Sequence, residues 1–254
     1  MISKAIYEDC TRRNINLSIA WIDYQKSFDS VSHSWVEKSI ELVGVNSKIV
    51  RFLKLSMEKW NIWLVLKTKQ KVMQSQAIQI RRGIFQGDSL SPLLFCIALT
   101  PLTNELNRAH FGHQVHGTER KISHLFYMDD LKLLCRNEND LKNEVKIVQT
   151  ISKNINMNFG LEKCARICLK RDSVQSKMLV GGTFDNDIKE LDPRKTYKYL
   201  GIEESFDIQH KNEKETLKKK YLRSLRLVLG TELSAKNKIQ AIGPLAVPVL
   251  RYSF

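Results

Sequence analysis

Residues 122 to 135, Ile122-Ser-His-Leu-Phe-Tyr-Met-Asp-Asp-Leu-Lys-Leu-Leu-Cys135, place two adjacent carboxylates between two apolar, strand-like runs. The runs read as the arms of a hairpin, with Tyr127-Met128-Asp129-Asp130 at its tip. Like charges side by side repel, and the flanking strands favour burial. A fold that keeps Asp129 and Asp130 together therefore calls for a cation beside them, and a divalent metal with a third carboxylate from elsewhere in the chain answers that need.

The third carboxylate has a candidate in Asp23, which closes the apolar run Leu17-Ser-Ile-Ala-Trp-Ile-Asp23. If the two segments are neighbours in one sheet, Asp23, Asp129 and Asp130 converge. Two magnesium ions roughly 3.5–4 Å apart are a common means of polarising an attacking hydroxyl and a phosphate leaving group together. The charge balance agrees: Lys+Arg 41 against Asp+Glu 27 gives +14, which points to a polyanionic partner, nucleic acid before a membrane surface. Taken singly, each aspartate has the ordinary alternative of capping a turn.

The rest of the chain reads as mixed helix and strand. Gly44 ends a helix that Ser32 or Ser34 caps, and a second helix over 46–58 turns Ile49, Phe52, Leu53 and Met57 inward. Residues 61–66 and 72–80 form a strand pair joined by a basic turn. Ser91 caps a buried apolar helix with Pro92 in its first turn. Residues 107–121 are a polar connector, and a helix over 138–156 faces Leu141, Val145, Val148 and Ile151 inward. Strand character returns at 157–169, short strands are expected within 172–195, and Tyr197–Ile202 is a further strand. A final helical region carries a stripe of Leu217, Tyr221, Leu225 and Leu229 opposite Lys218, Lys219, Lys220, Arg223 and Arg226, and a last helix starts near Ser234. The class is α+β, with a mainly antiparallel sheet and flanking helices.

Five scattered cysteines with no CxxC pair point to reduced thiols in an intracellular protein, with Cys96 and Cys135 as core residues. No signal peptide or membrane-spanning run is evident. His110, His113 and His116 form an HxxHxxH string, but Gly112 breaks any helix there and no cysteine joins them, so a zinc site is not expected.

Five segments, in order, resemble the motifs of a known family. Tyr127-Met-Asp-Asp130 resembles the catalytic box of reverse transcriptases, and Ala20-Trp-Ile-Asp23-Tyr-Gln-Lys-Ser-Phe28-Asp-Ser-Val31 the first palm motif. Arg82-Gly-Ile-Phe-Gln86-Gly87-Asp-Ser-Leu-Ser-Pro-Leu-Leu-Phe95 resembles the second, Gly160-Leu-Glu-Lys163-Cys164 the fourth, and Tyr197-Lys-Tyr-Leu-Gly201 the primer-grip strand. The likeness covers about residues 15 to 205 and is nearest to non-LTR (LINE-type) retrotransposon enzymes of the site-specific ribosomal-DNA class.

That resemblance implies a polymerase right-hand palm with partial fingers over 1–205 and the helical start of a thumb over 206–254. It implies an RNA-directed DNA polymerase that adds deoxynucleotides to a primer 3′-hydroxyl, with RNA template, DNA primer, deoxynucleoside triphosphates and two Mg2+ ions (Mn2+ as a substitute). Asp23 and Asp129 would bind both metals, with Asp130 weaker. Phe28 would be the steric gate against a ribose 2′-hydroxyl, Gln86 and Gly87 would lie under the templating pair, and Arg82 would contact phosphate or template. Lys163 would act as general acid toward pyrophosphate, and Tyr197, Lys198, Tyr199, Leu200 and Gly201 would hold the primer end. The alternatives are plainer: a core aromatic at Phe28, solvated cations at Arg82 and Lys163, an ordinary turn at Gly87, an edge strand at 197–201. Ser27 stands where the family mostly has Ala, and Gly160 where many members have Asn. The first palm motif begins close to Met1, so the likeness implies a fragment of a larger polyprotein acting in a nuclear ribonucleoprotein. A catalytically inactive relic that only binds nucleic acid is the competing expectation.

Overall fold

The structure, a computed structural model of the 254-residue chain, describes residues 2–68, 71–169, 188–192, 195–204 and 210–251. The chain divides into two compact units, Asp9–Glu190 and Met1–Glu8 with Leu191–Phe254.

The chain opens on α1 (Ile2–Arg13), then enters β1 (Leu17–Ile22), which is buried at every position. Beyond Asp23 comes the short β2 (Tyr24–Gln25), which lies outside the sheet that β1 joins. Lys26 then adopts a left-handed φ of 47° and the chain turns into α2 (Ser27–Ser30). Next come α3 (His33–Leu42) and α4 (Ser47–Glu58). The Ser32 side chain caps α3 by accepting from Trp35 N, and Asn46 caps α4 by accepting from Lys48 N. The α4 inner face is partly the expected one: Met57 is buried and Leu53 packs on the core, but Val50 is buried where Ile49 and Phe52 are exposed, Phe52 at 66%.

Residues 61–80 form an arm of four short strands: β3 (Asn61–Ile62), β4 (Val65–Lys67), β5 (Val72–Gln74) and β6 (Ile78–Gln79). The pairs are β3 with β6 and β4 with β5, so the expected single pair is broken in the middle. Residues 69 and 70 of its turn lie outside the described residues. The apolar helix is α5 (Ser91–Arg108); Ser91 is its first helical residue, and Leu90 holds the cap position without a side-chain bond. Cys96, expected in the core, faces solvent. The connector contains β7 (His113–Gln114) and β8 (Lys121–Ile122). The motif hairpin is β9 (His124–Tyr127) and β10 (Asp130–Cys135). It is followed by α6 (Glu138–Ile155), β11 (Asn158–Phe159), β12 (Ala165–Leu169) and β13 (Lys189–Glu190). Strands expected elsewhere in 172–187 lie outside the described residues.

The central sheet has the order β13-β12-β1-β10-β9, antiparallel except for the β12–β13 pair. Side chains alternate across it. Ala20 and Ile22 of β1 share one face with Leu131, Leu133 and Cys135 of β10, and this face joins a core that includes Phe95, Ala98 and Leu102 of α5 and Leu141, Val145 and Val148 of α6. Each such aliphatic side chain contributes about 1.5–3 kcal/mol by leaving water. The indole of Trp35 ties α3 to α5 by donating to Ala98 O at 2.8 Å. One polar group is trapped in this layer. Glu144 of α6 is fully buried; its Oε2 accepts from Cys135 Sγ at 3.0 Å, its Oε1 has no hydrogen-bond partner, and burial pushes its carboxyl up to about 8.

In the second unit, β14 (Tyr197–Tyr199) and β15 (Ile202–Glu204) form a hairpin, so the expected continuous strand is bent at Leu200 and Gly201. Both turn residues have positive φ, 49° and 81°, as tight two-residue hairpin turns demand. Then come α7 (His210–Leu229), α8 (Ala235–Leu245), capped by Ser234, and α9 (Val247–Arg251). On α7 the basic side chains at 218–220, 223 and 226 are exposed as expected, but Val228, not Leu229, is the buried residue of its last turn. Among the described residues no helix is long and apolar enough to cross a membrane.

Candidate active site

Sheet register does the first part of assembling the site. Ile22 pairs with Leu131 at the end of the β1–β10 ladder, so the next position on each strand, Asp23 and Asp130, leaves the same end of the sheet. Tyr127 pairs with Asp130 across the β9–β10 hairpin, which leaves Met128 and Asp129 as a two-residue turn. Met128 has a φ of 55° and Asp129 does not have a positive φ, the pattern of a type II′ turn. A side chain other than glycine at that position costs about 1–2 kcal/mol, strain of the kind that gathers where a fold must aim a side chain.

All three carboxylates are half-buried. Burial pushes the Asp23 carboxyl above its ordinary value; Lys163 draws it back and Asp129 pushes it further up. Burial raises Asp130 too, with Asp129 and then Asp23 adding to it. The three therefore feel one another's charge. Two polar contacts attend them: Lys163 Nζ lies 3.6 Å from Asp23 Oδ1, and Ser27 Oγ donates to Asp129 Oδ2 at 2.6 Å.

Among the described residues no group of three or more His, Cys, Asp or Glu side chains is arranged to hold a metal ion. Magnesium does not require such a group. It binds through one or two carboxylates and takes its other ligands from phosphate and water. Half-buried carboxylates, with the Asp129 charge acting on both Asp23 and Asp130, are a fitting donor set for it.

Asp23 is framed by the chain that follows α6. Gly160 N donates to Asp23 O at 2.8 Å, and a Cβ on Gly160 would lie 3.2 Å from Asp23 Oδ1, so a side chain there would crowd the carboxylate. Asp23 N donates to Cys164 Sγ at 3.4 Å. In the sequence Gly160, Cys164 and Ser27 are only motif letters; their contacts arise when distant segments pair. Tyr24 adds a further tie, its hydroxyl 2.9 Å from Ser152 Oγ on α6.

Phe28 lies on α2 with its ring stacked on Phe95 of α5, centroids 4.3 Å apart and planes within 10°. It is half-buried, so one side is packed and the rest is open. The following loop is locked to it: Ile84 N donates to Phe28 O and Gly83 N to Val31 O, at 2.8 and 2.7 Å. Gly83 is required there. Its φ is 91° and a Cβ would stand 3.0 Å from the Asp29 backbone. Arg82 and Gln86 line a recess of about 400 Å³ with Asp29, Ile80 and Phe85. Gly87 is exposed with a φ of 94°, and a Cβ would meet nothing within 4 Å, so its glycine is a matter of backbone conformation.

Asp23, Asp129, Asp130, Lys163, Phe28, Arg82, Gln86 and Gly87 all belong to the larger unit. Tyr197 to Gly201 belong to the other unit, where Tyr199 is buried and Leu200 and Gly201 form the hairpin turn. The histidine string resolves differently from expectation in one respect. Cys10 does join His113, its Sγ 3.5 Å from Nδ1, while Nε2 lies 3.2 Å from Asp9 Oδ2. The contact is a buried structural tie, because Cys10 and His113 are almost completely inaccessible.

The family described as "Reverse transcriptase (RNA-dependent DNA polymerase)" matches residues 5–203. A retrovirus-related Pol polyprotein from type-1 retrotransposable element R2 of Popillia japonica is 31% identical over 190 residues, covering 73% of this chain and 30% of that protein. The polyprotein from type-2 retrotransposable element R2DM of Drosophila melanogaster is 26% identical over 188 residues, covering 72% of this chain and 17% of its own length. The chain thus spans less than a third of these curated relatives. Among solved structures, apo telomerase from Candida tropicalis aligns over 100% of this chain and 45% of its own, with a TM-score of 0.56 at 15% identity. A form of it truncated from its C-terminal domain covers 71% of this chain at a TM-score of 0.52. These likenesses establish a partial polymerase right-hand fold.

Proposed function

Because the chain belongs to the reverse transcriptase (RNA-dependent DNA polymerase) family, of the R2 non-LTR retrotransposon type, we propose that it extends a DNA primer on an RNA template from the sheet end that carries Asp23, Asp129 and Asp130. The observation that carries this reading is the register that brings Asp23 and Asp130 to one end of β1 and β10, beside the strained turn bearing Asp129.

Asp23 and Asp129 would hold two magnesium ions, with Asp130 in a lesser role, and manganese would substitute. When bound, the metal supplies Lewis-acid activation of the primer hydroxyl and neutralises charge on the phosphates. The remaining work falls to protein groups. Lys163, whose Nζ lies 3.6 Å from Asp23 Oδ1, would carry the proton that the pyrophosphate leaving group takes up. The Phe28 ring, braced by Phe95, fills the space a ribose 2′-hydroxyl would need and so selects deoxynucleoside triphosphates. Arg82 and Gln86, sharing one recess, would receive phosphate or template, with Gly87 beneath the templating pair. Tyr197 to Gly201 would hold the primer end, with 1–205 serving as palm and partial fingers and 206–254 as the start of a thumb. The +14 charge and the exposed lysines of α7 suit a duplex backbone. One telomerase of this fold was solved in complex with a fragment of telomeric RNA.

The test is primer extension by the full chain on an RNA template in magnesium. Deoxynucleotide addition is expected, and Asp129→Ala should reduce it to background. Extension that survives Asp23→Ala or Asp129→Ala would overturn the assignment of these carboxylates. RNA binding without extension by the unaltered chain would replace a polymerase with a binding module.

A further inference from the structure

We propose that Ser27 is the positioning residue for Asp129: its hydroxyl fixes the carboxylate that the polymerase reading gives to the metal, and the inference rests on that reading. Ser27 is only 5% exposed, and its Oγ donates to Asp129 Oδ2 at 2.6 Å, the short distance of a charge-assisted bond. Among the described residues Asp129 makes no other hydrogen bond or ion pair. A carboxylate at a hairpin tip would otherwise turn freely about its side-chain torsions.

The donor sits on a rigid frame. Lys26 enters α2 in a left-handed conformation, and Ser30 Oγ donates back to Lys26 O at 2.8 Å. From the far side, Gly83 and Ile84 donate to Val31 and Phe28. The turn carrying Ser27 is thus fixed by a loop more than fifty positions away, and the tip carrying Asp129 is fixed by its strained Met128. A hydroxyl is well chosen for the task. It is a neutral donor, so it orients the carboxylate without competing with a cation for its charge, and it occupies one oxygen, leaving the other to bind metal. Removing partners that orient a metal-binding carboxylate typically lowers metal affinity by about 10–100-fold.

The experiment is Mn2+ binding to the full chain followed by electron paramagnetic resonance, with no substrate present, alongside the magnesium dependence of primer extension. Ser27→Ala and Ser27→Val should weaken Mn2+ binding roughly tenfold and raise the magnesium needed for half-maximal rate, with little change in rate at saturating metal. Ser27→Thr, which matches valine in shape and keeps the hydroxyl, should restore both. Threonine and valine variants that behave alike, or an alanine variant that binds Mn2+ as the parent does, would overturn the assignment. Asp129→Asn is the separate control. If it leaves Mn2+ affinity unchanged, the metal reading itself falls; if it abolishes binding while Ser27→Ala does not, only the role of Ser27 falls.

Discussion

Leu17-Ser-Ile-Ala-Trp-Ile22 and Asn61-Ile-Trp-Leu-Val-Leu66 are runs of equal length and similar apolar content, and both read as strands. The first is buried throughout, whereas Ile62, Trp63, Leu64, Val65 and Leu66 are all exposed. Their neighbours make the difference. The first run has β10 on one side and β12 on the other, with α6 packed across β1 and β10. The second is broken into β3 and β4, and each pairs only within its own arm. Composition made both candidates for burial; only segments from elsewhere in the chain decided which would be buried. The proposed site follows the same division, because the carboxylates stand at the end of the run that cannot move without opening the core.

A matched pair of substitutions puts that comparison at risk. Leu133→Ala removes a fully buried side chain from β10 and should lower stability by about 2–5 kcal/mol in denaturant unfolding. An intermediate effect is expected at Glu144, the polar intruder in the same layer. Its folded-state value near 8 lies above the ordinary value of 4.5, so folding favours its protonated form. Its contribution is therefore intact below about 4.5 and is lost as pH rises toward 8. The full shift corresponds to on the order of 4–5 kcal/mol, and relaxation of surrounding dipoles around the charged carboxylate should reduce this to roughly 2 kcal/mol. Glu144→Gln should flatten the decline in stability between pH 5 and pH 8 by about that much; an unchanged slope would show that the carboxylate is solvated. The smallest effect is expected for Leu66→Ala in the arm, within about 0.5 kcal/mol. If it costs as much as Leu133→Ala, the arm is buried in solution and the contrast collapses.

The three carboxylates of the proposed site were legible because an acid ending an apolar strand, and two acids dividing another, conflict with their surroundings. Asp23, Asp129 and Asp130 announce themselves through that conflict, and the ladder from Ser18–Cys135 to Ile22–Leu131 bears out the expectation that their strands are neighbours. Helix limits set by local chemistry were also legible, such as the Ser32 cap and the Gly44 end with its φ of 78°. What sequence could not supply was rotation and company. The 46–58 helix has enough apolar residues for two plausible faces; Met57 is buried as expected, but packing chose Val50 over Ile49 and Phe52. Cys96 sits in an apolar run yet points outward beside Met128, its Sγ 3.8 Å from the methionine sulfur. Ser27, Gly160 and Cys164 acquire meaning only through residues more than a hundred positions away, a separation that no periodicity encodes.

Gly83 has a mechanical consequence. Its missing Cβ lets the loop of Arg82 and Gln86 lie directly on the backbone of Asp29, and the bonds from Gly83 and Ile84 to Val31 and Phe28 fasten the two segments together. In the proposed reading, one segment inspects the sugar and the other the template. Riveted in this way they would move as one, so that in this reading a distortion imposed by a mispaired template base would reach the sugar gate as a displacement.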